Sequence, residues 1–245
     1  MAVFAIGDLH LPGHDTKPMD IFGSHWENHF QRICENWRRM ITPEDIVLLP
    51  GDTSWAMQIM DVVDDLNAVD ALPGKKLLLR GNHDYWWSSL TKLAQVLPPG
   101  FQVIQNNAIS MGGYIFAGSR GWIFPTAQTP LGEQDEKIFR RELIRLEMSL
   151  QAAVKLRKAE EPIIVMTHYP PLFADGLDTD WTRLLESYPV EQVVYGHLHG
   201  AGIRIGFNGE HGGIQYRLVS CDALDFCPAR LDGEGISAPD TRLPE

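Results

Sequence analysis

Short apolar runs of strand length alternate with longer amphipathic stretches along most of this chain, and that alternation predicts a layered α/β fold. Val3–Ile6, Ile46–Leu49, Lys76–Leu79, Ile163–Met166 and Gln192–Tyr195 read as strands. Between the first two, Trp26, Phe30, Ile33, Trp37 and Met40 step by four, three, four and three, which lines one face of a helix. Ser24 with Glu27 three residues on forms a capping-box pattern, so this helix is expected to open at Ser24. Helix-length stretches also cover Met57–Ala71, ending near Pro73-Gly74, and Ser88–Leu97, stopped by Pro98-Pro99-Gly100. Phe101–Gln105, Ala108–Ser110 and Tyr114–Ala117 predict short strands set off by Asn106-Asn107 and Gly112-Gly113 turns. A charged helix over Glu133–Glu160 follows, with Phe139, Leu143, Leu146, Leu150 and Ala153 facing inward. Ile203–Phe207 and Ile214–Val219 predict a last pair of strands across a Gly-rich turn. The tail 231–245, rich in Gly, Pro and Asp, reads as an extension of a single domain spanning residues 1–245.

At 245 residues and 44% hydrophobic, the chain has the means to bury a substantial core. A net charge of −11 argues against nucleic acid bound along the general surface. A small phosphate ester drawn to one locally positive cleft suits the composition better. Cys34, Cys221 and Cys227 are odd in number and lack zinc-site spacing, which points to reduced thiols. With neither a signal-peptide pattern nor a stretch of membrane-spanning length, a cytoplasmic location without membrane contact is expected.

Chemistry concentrates at the ends of five predicted strands: Asp8-Leu9-His10, Gly51-Asp52, Gly81-Asn82-His83-Asp84, Thr167-His168 and Gly196-His197-Leu198-His199. Each alone is commonplace, whether as a turn, an Asx motif or a hydrogen-bonded core histidine. Together they bring carboxylate, imidazole and amide oxygen to strand tips five times, the donor set of a two-metal hydrolytic centre. Asp8 and His10 are placed to reach one cation, and Asp52 to bridge two through its two oxygens. Gly51 lets the backbone approach closely. Asn82 offers a neutral oxygen, and His168, His197 and His199 supply imidazoles. His83 reads as an unligated acid beside the leaving group, with Asp84 fixing its tautomer.

This ordered set resembles the calcineurin-like metallophosphoesterases over residues 8 to 199. The resemblance implies a four-layer αββα sandwich of two mixed sheets flanked by helices, with the site at the carboxyl ends of the strands. It implies one metal on Asp8, His10, Asp52 and His199, and another on Asp52, Asn82, His168 and His197. His83 would be the general acid, supported by Asp84. Tyr85-Trp86-Trp87 is similar to a subgroup of uncharacterised bacterial predicted phosphohydrolases, though Trp86 and Trp87 are more readily core residues than a stacking platform. Mn²⁺, Fe²⁺/Fe³⁺ and Zn²⁺ all suit a thiolate-free donor set. The expected activity is hydrolysis of a small phosphodiester or phosphomonoester, diester slightly ahead, by a hydroxide held between the two cations. A nuclease acting on a nucleic-acid end and a non-catalytic metal-binding scaffold are the competing readings. Arg120, Trp122 and Tyr169 are candidates for the substrate wall. Otherwise Arg120 is a surface ion-pair partner and Tyr169-Pro170-Pro171 a rigid loop behind His168. His14 is placed at the rim.

Overall fold

The computed structural model describes residues 1–13, 19–125 and 130–232. In chain order, the strands are β1 (Val3–Ala5), β2 (Ile46–Leu49), β3 (Lys75–Leu79), β4 (Phe101–Ile104), β5 (Ala108–Met111), β6 (Tyr114–Ser119), β7 (Ile163–Thr167), β8 (Val190–Tyr195), β9 (Gly209–His211), β10 (Ile214–Leu218) and β11 (Ala229–Arg230). The α-helices are α1 (His29–Met40), α2 (Val63–Asp70), α3 (Leu90–Leu93), α4 (Glu133–Leu156) and α5 (Asp180–Glu186). One sheet has the order β11-β1-β2-β3-β4 and the other β5-β6-β7-β8-β10-β9. The inner strands of each are parallel, with β11 antiparallel at one edge of the first sheet and β5 and β9 antiparallel at both edges of the second.

Uninterrupted apolar strands need cover on both faces, and the side-chain alternation shows what supplies it. Ile46 and Leu48 of β2 join Val3, Ala5, Leu77 and Leu79 against Phe116, Ile164, Met166 and Val194 of the other sheet. Val47 and Leu49 point the opposite way, onto Ile33 and Trp37 of α1 and Leu66 and Val69 of α2. In the second sheet Ile163, Val165 and Val193 turn outward onto Phe139, Leu146 and Leu150 of α4 and Trp181 and Leu185 of α5. The result is helix, sheet, sheet, helix: the αββα sandwich of two mixed sheets. Trp86 and Trp87 are both buried in the first helix–sheet core rather than exposed as a platform.

Several element boundaries differ from the sequence expectation. Ser24 opens a 3₁₀ turn, Ser24–Trp26, not a capped α-helix. The helix proper starts at His29 after Asn28 takes a left-handed φ of 52°, with no side-chain cap. The stretch Met57–Ala71 is helical only from Val63, because residues 57–62 form turns that leave Met57 and Met60 in solvent. Ser88–Leu97 yields a single α-turn, and α4 stops at Leu156, where the backbone of Arg157 becomes extended. Ile203–Phe207 is not a strand. Gly200–Ile205 forms a 3₁₀ helix and Gly209–His211 pairs with β10 instead. The alternation of Ile203, Ile205 and Phe207 mimics a strand, but the main chain at Gly200 is pinned by an N–H bond to the Asp222 carboxylate and turns there. Cys34, Cys221 and Cys227 are free thiols, and no helix among the described residues is long and apolar enough to cross a membrane. His14 and all but the first two residues of the 231–245 tail lie outside the described residues.

Candidate metal centre

Parallel pairing continues for a few residues beyond the strand ends, and this brings the first two motifs together. Asp8 N–H donates to Gly51 O at 2.9 Å, His10 N–H to Asp52 O at 3.0 Å and Leu11 N–H to Thr53 O at 3.0 Å. Gly7 N–H donates to Val219 O at 2.7 Å and Cys221 N–H to Gly7 O at 3.0 Å, which ties the tip of β1 to the end of β10 in the other sheet. The tips of both sheets therefore converge on one point. Turning side chains inward there strains the backbone. Asp8, His10, Asp52 and His197 have φ of 58°, 45°, 51° and 73°, in the left-handed region that costs a non-glycine residue about 1–3 kcal/mol.

Glycine makes the approach possible at two points. A Cβ on Gly51, at φ 99°, would stand 2.6 Å from the Gly81 main chain, and a Cβ on Gly81 would overlap the Asp52 carboxylate. Gly196 is similarly pressed against the Asp8 carboxylate.

All seven expected ligand residues meet. His10 and His199 bring their Nε2 atoms to 3.3 Å. His199 Nε2 is 3.3 Å from Asp8 Oδ1, and Asp52 Oδ2 lies 3.5 Å from His168 Nε2 and 3.9 Å from His10 Nε2. Asn82 Oδ1 is 2.6 Å from His168 Nε2 and 2.8 Å from His197 Nδ1. Asp8, His10 and His199 form one group with metal-binding geometry, and Asp8, Asp52 and His168 another.

The donor set fits cations on its own chemistry. His168 Nδ1 faces Pro50 O at 3.0 Å, an acceptor that can only receive a proton, so Nε2 turns a lone pair into the cluster. His199 Nδ1 faces the Asp222 carboxylate at 2.8 Å, the carboxylate–histidine arrangement that orients metal-bound imidazoles. Burial, reinforced by neighbouring imidazoles, holds His10, His168 and His197 below the ordinary histidine range, His197 at about 3, which keeps their lone pairs free at neutral pH. Burial also acts against charge on His199, but Asp8 and Asp222 outweigh it and raise the group to about 10. Burial raises Asp8 in turn, yet His199, His168 and His10 hold it well below the carboxylate range. Asp52 is pushed well above that range by burial and by Asp84 and Asp8. Buried carboxylates beside three imidazoles held neutral suit added positive charge, and a cation bound at His199 would displace the proton that Asp8 and Asp222 favour there.

His83 sits at the edge of the cluster, its ring 5.8 Å from that of His10 and 4.4 Å from that of Trp55, and its N–H donates to Asp52 Oδ1 at 2.8 Å. Asp84 has a different place from the one expected. Its bonds run to the main chain: Oδ2 accepts from Gly81 N–H at 2.7 Å and Asp52 N–H at 2.9 Å, and Oδ1 from Thr53 N–H at 2.9 Å. Oδ1 also accepts from Ser54 N–H at 3.3 Å and from the Trp86 indole at 3.0 Å. Following His83 directly in sequence, Asp84 points back beneath the loop, where it clamps the Asp52 and Gly81 turns together.

Arg120 is half-buried. Its guanidinium lies 4.6 Å over the Trp122 ring and 3.9 Å from buried Glu142. The Trp122 indole donates to Asp135 at 3.1 Å. The buried ring of Tyr169 packs 5.1 Å from Trp122 and 4.3 Å from His197, where burial pushes its hydroxyl up to about 12. Sequence reasoning missed three supports: Asp222 behind His199, Trp55 stacked 4.7 Å from His10, and His29, whose Nε2 lies 3.0 Å from the Leu9 carbonyl. Asp222 carried the available signal, a carboxylate just past the apolar run of β10.

Among solved structures, the phosphopantetheinyl hydrolase of Mycobacterium tuberculosis is similar at 14% identity and a TM-score of 0.54, with 97% of this chain and 98% of that one covered. A protein of unknown function from Aquifex aeolicus is similar at 18% identity and a TM-score of 0.45, over 94% and 95% of the two chains. No curated protein matches the sequence. The model of the calcineurin-like phosphoesterases matches residues 1–201, which contain all seven expected ligand residues and His83, and the chain therefore belongs to that family of metal-dependent phosphoester hydrolases.

Proposed function

We propose that this centre hydrolyses a small phosphate ester, with His83 as general acid. The observation that carries the reading is the convergence of seven oxygen and nitrogen donor residues, with His168 oriented by the Pro50 carbonyl and His199 by the Asp222 carboxylate. Asp8, His10, Asp52 and His199 would hold one divalent cation, and Asp52, Asn82, His168 and His197 the other. When bound, such a pair activates water and neutralises the phosphoryl oxygens. The chain's own groups do the rest. Asp222 and Pro50 keep two rings in their tautomers, and Asp84 holds the Asp52 and Gly81 turns in place. His83, its main-chain N–H bonded to Asp52 and its ring 4.4 Å from that of Trp55, donates a proton to the leaving oxygen. The acidic surface favours a small ester over a nucleic acid.

The test is hydrolysis of p-nitrophenyl phosphate and bis-p-nitrophenyl phosphate with Mn²⁺, in wild type, Asp52→Ala and His83→Ala. Metal-dependent turnover should vanish in Asp52→Ala and fall by about 10²–10⁴ in His83→Ala with metal still bound. The faster ester identifies the monoester or diester preference. Failure to turn over either ester with Mn²⁺, Zn²⁺ or Fe²⁺ bound would refute the assignment for these ester classes.

A further inference from the structure

Next to the metal centre lies a second chemical feature that the hydrolytic reading leaves unused. A cavity of about 400 Å³ is walled by the end of β3, the residues after β4, the end of β6 and one face of α4. Its position follows from two connections. Arg80 immediately precedes Gly81-Asn82, and the Arg120 carbonyl accepts the N–H groups of ligand His168 and of Tyr169, each at 3.0 Å. The cavity therefore adjoins the cluster on the side of the β4 edge.

Its charge is the reverse of the chain's. In a protein of net charge −11, Arg80, Arg120, Arg141 and Arg145 all line this one space, and Glu142 is the only carboxylate among the lining residues. That carboxylate is already engaged. It accepts from Arg145 at 2.6 Å, while Arg141 and Arg120 stand off at 3.8 and 3.9 Å. The buried Nε of Arg80 has no hydrogen-bond partner among the described residues. Burial, with the nearby charges of Arg80 and Arg141, holds Arg120 below its ordinary value despite Glu142. Four guanidinium groups against one carboxylate leave an excess of positive charge and spare N–H donors. Guanidinium forks match the paired oxygens of a phosphoryl group. The volume lies in the range of small-molecule sites, and a recess half-open to solvent differs from the extended basic stripe that a polynucleotide would follow.

We propose that this pocket binds a second anionic group of the substrate, a phosphoryl or pyrophosphoryl group carried on the leaving side, while the ester phosphate lies at the metal centre. The preferred substrate is thus a small compound with two phosphate groups. This inference rests on the phosphoesterase reading above, and the experiment separates the two.

Alkane-diol bisphosphates of two to six carbons are compared with the corresponding alkyl monophosphates as substrates of the Mn²⁺-loaded protein, in wild type and Arg141→Gln/Arg145→Gln. Both residues are partly exposed on α4, and a ratio of kcat/KM values within each protein cancels any loss of folded enzyme. The bisphosphate of best length should exceed its monophosphate by at least about tenfold in the wild type, and the ratio should fall toward one in the variant. A wild-type ratio near one at every length overturns the proposal. In parallel, calorimetry follows inorganic pyrophosphate binding to EDTA-treated protein. If no ester is turned over, the phosphoesterase reading fails and the calorimetry alone decides the pocket. Binding weakened tenfold or more in Arg141→Gln/Arg145→Gln upholds it, and no binding in the wild type overturns it.

Discussion

Replacing Asp222 by asparagine isolates one charge behind one metal ligand. The carboxylate is almost fully buried, with one oxygen 2.8 Å from His199 Nδ1 and the other accepting from Gly200 N–H at 3.0 Å. In Asp222→Asn the amide oxygen can still receive the proton from His199 Nδ1, but the amide NH₂ then faces the Gly200 N–H and the negative charge is gone. The imidazole loses basicity at Nε2 and part of its orientation. Outer partners of this kind contribute about 10- to 100-fold in metal affinity or activity, or roughly 1.4–2.7 kcal/mol. The loss should be confined to the cation held by Asp8, His10, Asp52 and His199. Calorimetric titration of EDTA-treated protein with Mn²⁺ should show one affinity weakened by that factor and the other preserved. Thermal unfolding of both proteins in EDTA controls for a general loss of structure. Two affinities within about two-fold of the wild type, in a folded variant, would refute the argument that Asp222 acts through His199.

Gly196→Ala should reduce turnover by about 10²-fold or more, because the added methyl group lands on the Asp8 carboxylate and displaces a ligand; steady-state kinetics with saturating Mn²⁺ reads it. Asp84→Ala should destabilise the fold by at least about 3 kcal/mol in urea unfolding, since it strands the Gly81, Asp52 and Thr53 N–H groups in a buried turn; a loss under about 1 kcal/mol would contradict the clamp. Asp45 accepts from Ala2 N–H at 2.6 Å and from Thr42 N–H at 2.8 Å, and although burial opposes its charge these bonds hold its carboxyl below the ordinary 3.8. A depressed folded pKa contributes stability above 3.8 that disappears as pH falls through the lowered value. Asp45→Asn should therefore be less stable than wild type at pH 7, and the gap should close on acidification below that point; a gap independent of pH from 7 to 2 would count against it.

The fold class and the residues that converge at the strand tips were legible in the chain because both depend on local signals. Apolar runs such as Ile46–Leu49 declare strands, and a carboxylate or imidazole just past each run declares a strand tip. In a parallel sheet all such tips lie at one edge. The ligands therefore needed no long-range information beyond the order of motifs. Helix extents were less legible. Met57–Ala71 has helical composition, yet only residues from Val63 find a sheet face to cover, and the last turns of the Glu133–Glu160 stretch lack one. Glu27 suggested a capping box, but the chain bends at Gly23 and Asn28, both at positive φ, and tertiary packing of Trp26 outweighs the local pattern. The main-chain bonds of Asp84 were not legible for a similar reason: adjacency in sequence placed it beside His83, whereas its carboxylate also accepts from the Asp52, Thr53 and Gly81 N–H groups. The arginine pocket draws Arg80, Arg120 and the α4 pair Arg141 and Arg145 from three separate stretches, and only the packing of two sheets and α4 makes them neighbours. Chemistry carried by consecutive residues at strand ends can be read directly from a chain. Chemistry assembled from the walls between layers depends on distances that only the folded structure sets.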